Sequence, residues 1–134
     1  MNSLLPSGVW SWPSSEFEGY NEFMMIDSAR KRIVSSAIIE VDPIKHAAIS
    51  VWYQQTEPDV IQTRLKPSDD WRPSFYRIDG NLIYWRWTPD GQEYPWVHVD
   101  TSDVPDWFIQ RVDRSYAKMD LQQNEAEQGA AANP

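Results

Sequence analysis

The chain has 134 residues, with 12 Lys and Arg against 20 Asp and Glu, a net charge of −8, and no cysteine. That length suits one domain able to bury about two thirds of its unfolded surface, and eight Trp, six Tyr and four Phe supply its large packing groups. The absence of cysteine excludes disulfides, thiolate nucleophiles and Cys-ligated metal centres. The acidic balance disfavours nucleic acid and anionic membranes while admitting a protein partner with a basic surface.

Residues 1–7 read as an N-terminal arm without an export signal, because Leu4-Leu5 runs straight into Pro6-Ser7-Gly8. No stretch reaches the roughly 20 apolar residues of a membrane span, so a soluble, cytoplasmic protein is expected. Ser7 to Trp12 is a short opening strand that stops at Pro13. Tyr20 to Ile26 alternates, with Phe23 and Met25 on one face and Tyr20, Glu22, Met24 and Ile26 on the other. After the turn at 27–30, Arg32 to Val41 places Ile33, Ser35, Ala37, Ile39 and Val41 opposite Val34, Ser36, Ile38 and Glu40. Asp42-Pro43 makes the next turn, and His46 to Gln55 and Val60 to Lys66 are further strands.

Residues 67–73 form the longest loop before Ser74 to Ile78. Asp79-Gly80 and Asp90-Gly91 then mark two tight turns. They bracket Leu82 to Thr88 and lead into Tyr94 to Val99. Asp103-Val104-Pro105-Asp106 carries helix-start chemistry. Phe108, Ile109, Val112, Tyr116 and Met119 follow at helical spacing, which predicts a helix from about Pro105 to Met119. Residues 121–134, rich in Gln, Ala and Glu, read as a flexible tail. The fold expected is mainly β: a single domain over 8–120 in which seven or eight antiparallel strands, in up-and-down order, close into a barrel or strongly rolled sheet, with one C-terminal helix. Closure removes the two exposed edges that such a meander would otherwise leave.

Gly8-Val9-Trp10, followed by this meander and a closing helix, resembles the first-strand Gly-x-Trp element and the architecture of lipocalin-like (calycin) barrels. The resemblance implies a barrel that binds small apolar molecules, a minority of such proteins catalysing isomerisation, cyclisation or decarboxylation. It also implies an Arg near the last strand packed over the Trp, for which Arg111 and Arg114 are the candidates.

The residues suggest two kinds of function. One is a small-molecule-binding barrel, or a cofactor-independent enzyme of isomerase, cyclase or lyase type, with a small apolar or aromatic ligand. Its cavity would be lined by Trp52, Tyr84, Trp85 or Trp96, with Trp87 and Arg86 also in the ligand-binding set. An Arg86 turned inward needs a carboxylate such as Glu22 or Glu40, whereas one turned outward makes ordinary cation–π contacts. For acid–base chemistry the candidates are His98, Glu22 as a buried carboxylate and Tyr84 as a phenol donor. His46 and His98, the only histidines, form no metal-ligand pattern, so neither a metal nor a cofactor is expected. The other function is that of an acidic interaction module (an inhibitor, an immunity protein or a phage-encoded protein). It would have a filled barrel and exposed acids, with Trp71 or Trp107 as interface anchors.

Overall fold

The computed structural model describes residues 4–14 and 16–132. Eight antiparallel strands follow one another around a closed barrel. They are β1 (Gly8–Pro13), β2 (Asn21–Asp27), β3 (Arg32–Glu40), β4 (Lys45–Glu57), β5 (Val60–Arg64), β6 (Arg72–Asp79), β7 (Leu82–Arg86) and β8 (Tyr94–Val99). Each pairs with its sequence neighbour, and the barrel shuts where Val9, Trp10 and Ser11 of β1 meet Val99, His98 and Val97 of β8. No strand edge is left unpaired along this seam, which is the physical advantage of closure.

Strand parity sends one apolar set inward and another outward. The inner set fills one end of the barrel: Leu5, Trp10, Ile26, Ile33, Tyr53, Ile61, Tyr76 and Ile83 are all buried there. The N-terminal arm helps close that end. Leu5 is only 3% exposed, its backbone N–H donates to Gln55 Oε1 at 2.8 Å, and Gln55 Nε2 donates to Tyr76 Oη at 2.6 Å. Burial pushes the Tyr53 hydroxyl up to about 12, with the Asp27 carboxylate acting in the same direction.

Gly8 opens β1 with φ +152°, a conformation that side-chain-bearing residues rarely adopt, and a Cβ there would lie 3.0 Å from the Trp10 ring and 3.2 Å from His98 Nε2. The Gly-x-Trp spacing therefore has a local cause: the indole folds back over the glycine. Gly8→Ala is expected to cost about 1–3 kcal/mol. Ser11→Ala on the same strand should be near neutral, and urea titration of the two variants measures the difference. The Trp10 ring meets His98 edge-on, with centroids 5.3 Å apart. Arg111 and Arg114 instead lie near His46 on the outer face, where burial lowers the His46 pKa and their charges add to the effect.

The outward set is covered by α1 (Asp106–Ala132), which follows a 3-10 turn at Thr101–Asp103. Val9, Phe23 and Val34 pack there with Val104, Phe108 and Val112. Phe108 lies 5.5 Å from Phe23, centroid to centroid, and Trp107 lies 4.5 Å from His46. Polar contacts tie the far part of the helix down. The Tyr116 hydroxyl donates to Asp27 Oδ2 at 3.2 Å, and Arg32 pairs with Asp120. Among the described residues burial continues only as far as Met119, while Leu121 is 59% exposed. The helix nevertheless runs on to Ala132 where a flexible tail was expected. Gln, Ala and Glu are good helix formers, and no proline interrupts them.

Candidate functional site

The barrel is not filled along its whole length. Beyond the packed end, the inward positions are small: Ser35, Ala37, Ala47, Thr63 and Ser74. These side chains cannot reach the barrel axis, so a cavity of about 460 Å³ remains, bounded also by Met24, Ile49, Val51, Trp85 and Trp96. Its size falls in the range of about 300–1,000 Å³ usual for ligand pockets. It opens toward the rim formed by the β1–β2, β3–β4, β5–β6 and β7–β8 connections. Trp87, just past the end of β7, stands at that opening and is 66% exposed.

A second compartment of about 180 Å³ adjoins the first and shares Glu22, Trp85, Trp87 and Trp96 with it, adding Trp12 and Tyr94. Four strands position this aromatic box. Glu22 of β2 sits opposite Trp12 of β1, and Trp85 of β7 sits opposite Tyr94 of β8. The Trp12 ring lies 5.8 Å from Tyr94 and 6.3 Å from Trp96, while Trp85 and Trp87 are 6.4 Å apart. Trp12, Tyr94 and Trp96 from β1 and β8, and Trp85 and Trp87 from β7 and its end, together line the compartment. Trp85 Nε1 is buried without a hydrogen-bond partner among the described residues.

Among the described residues Glu22 is the only carboxyl lining either compartment, and no Lys or Arg lines them. Among the described residues it makes no ion pair or hydrogen bond. Burial raises its pKa above the ordinary 4.5, and the charge of Glu16 adds to the effect. A carboxyl whose folded pKa is raised costs the native state stability above its unfolded pKa, and costs nothing well below it. Glu22→Gln should therefore raise the melting temperature at about pH 7 and leave it unchanged near about pH 3. Equal shifts at both pH values would show that the carboxylate is not under strain.

The other residues singled out from the sequence divide by strand parity. Trp85, Trp87, Trp96 and Glu22 come together at the cavity. Trp52 and Arg86, expected to bind ligand, stand on the outer face. Trp52 is flanked by its cross-strand neighbours Arg32 and Arg64. Arg86 lies 5.9 Å over the Phe75 ring and donates to the Pro89 carbonyl at 2.6 Å. Tyr84 also faces out, under the Arg77 guanidinium at 3.9 Å, and Arg77 in turn grips Glu93 through two hydrogen bonds. His98 does lie on the inward parity, but at the packed end, beside Trp10, Pro6, Gly80 and Asn81. It lines a different pocket from Glu22, so the two do not converge. Trp12 and the small inward residues of β3 to β6 were not singled out from the sequence. Their signal was present in the alternation: Trp12 shares the parity of Trp10, and Ser35 and Ala37 share that of Ile33. Among the described residues no group of three or more His, Asp or Glu side chains is placed to hold a metal ion. No helix among them is long and apolar enough to cross a membrane.

No protein-family model, curated protein or solved structure matches the chain.

Proposed function

We propose that the protein binds a small, mostly apolar molecule inside the barrel, with its body in the 460 Å³ cavity and its polar end at Glu22. The carrying observation is the unfilled upper half of the barrel. The inward residues there are small, yet the rim beside them is built from four tryptophans and a tyrosine. A barrel whose function lay on its outer surface would gain stability from filling that space, because each missing contact forfeits dispersion energy. The eight-stranded up-and-down closure and the glycine folded beneath Trp10 support a lipocalin-like reading of the fold. The reading extends to cofactor-independent proton transfer, for which Glu22 is the base of choice. A partly desolvated carboxyl with a raised pKa is poised to take a proton from a bound substrate. His98 and Tyr84 have no part in that chemistry, since neither reaches the cavity.

The test is tryptophan fluorescence and thermal melting against a panel of apolar and aromatic small molecules. Ligand-dependent quenching with a raised melting temperature is expected. It should be weakened in Trp85→Phe and retained in Arg86→Ala, whose side chain points outward. A flat response across the panel would overturn the reading and turn attention to an acidic protein-interaction surface.

A further inference from the structure

Resting on that reading, we infer that the polar end of the ligand is cationic: a quaternary or alkylated ammonium seated in the box of Trp12, Trp85, Trp87, Tyr94 and Trp96 over Glu22, with an apolar tail running down the cavity. Three independent features point to this charge. The first is the box itself, since the negative faces of indole and phenol rings attract a cation that has little hydration to lose. Trp12 of β1, Trp96 of β8, and Trp85 and Trp87 at the end of β7 supply rings from three neighbouring strands.

The second feature is Glu22. Among the described residues it is the only carboxyl in the lining and has no cationic partner there, so a ligand cation would complete an ion pair that the protein leaves half made. An anionic ligand would instead meet a like charge at the half-buried Glu22, which is costly. The third is the net charge of −8, which raises the local concentration of cations around the opening. The two compartments also match such a molecule in shape: a compact aromatic chamber for a head group, continuous with a larger apolar one for a tail.

The experiment compares decyltrimethylammonium, decanol and decanoate by isothermal titration below their aggregation concentrations. The tail is the same in all three and only the head changes. The ammonium is expected to bind at least about 10-fold more tightly than the alcohol, in line with a desolvated cation–π site. Decanoate should bind weakest. Glu22→Gln should remove most of the ammonium's advantage over decanol while its circular dichroism spectrum stays that of the parent, which separates loss of charge from loss of fold. Decanol binding as tightly as the ammonium, or decanoate more tightly, would overturn the cationic assignment while leaving the cavity reading intact. If none of the three binds, both fall together.

Discussion

Phe108→Ala is expected to destabilise the protein by about 3–5 kcal/mol, the usual cost of removing a fully buried aromatic ring. Phe108 has no solvent exposure, and it packs between Phe23 on the barrel wall and Trp107 on its own helix. Its removal opens a cavity at the centre of the outer core, where β1, β2 and β3 meet α1. A domain of this size should then melt about 10–20 °C lower. That loss is a large share of the total stability of about 5–15 kcal/mol typical of single domains. Leu121→Ala, at a position 59% exposed on the same helix, should change stability by less than about 0.5 kcal/mol. Chemical denaturation followed by circular dichroism measures both. Equal melting of the two variants would mean that α1 contributes no core layer.

Trp87→Ala should have the opposite profile, a large effect on ligand affinity with almost none on stability. The side chain is 66% exposed, so the native state gains little from its packing. Yet it borders both compartments and shares their lining with Trp96 and Glu22. Loss of one wall of a cation-binding box should weaken decyltrimethylammonium binding by about 10- to 30-fold. The melting temperature should stay within about 2 °C of the parent. Trp71→Ala is the control, because Trp71 stacks under Arg64 at 4.2 Å and lies outside both compartments. A parental affinity in Trp87→Ala would remove that side chain from the site. A large drop in melting temperature would show it to be part of the fold.

The contrast between these variants reflects how the barrel divides its large residues. Trp10 and Trp85 are almost fully buried and hold the barrel together, whereas Trp87 is left exposed at the rim. An exposed indole beside a cavity gives little to folding, so its reward must come from what it contacts there.

Much of this architecture was legible in the order of residues. Alternating apolar positions, cut by Asp42-Pro43, Asp79-Gly80 and Asp90-Gly91, place the eight strands to within a few residues of their observed bounds. The apolar stripe from Phe108 to Met119 marks the docked part of α1, because a helix of period 3.6 must present one face to its support. The extension beyond Met119 was not legible, since it rests on intrinsic propensity with no buried stripe among the described side chains to announce it.

The candidate site was legible by half. Parity alone tied Trp85 to Trp87 and Trp96 to Tyr94, and it tied Glu22 to Met24, because neighbours two apart on a strand share a face whatever the fold. Which of the two faces lines the interior is a different matter. Both are apolar here, one packing into the barrel and the other under α1. The local pattern is therefore symmetric between them, and only closure of the eight strands and docking of the helix break the tie. Closure turned Glu22 inward and Trp52, Tyr84 and Arg86 outward, and it set His98 in a different pocket from Glu22. The cavity also depends on closure. Ser35, Ala37, Ala47, Thr63 and Ser74 come from four strands, and their smallness becomes a volume only when the barrel brings them around one axis.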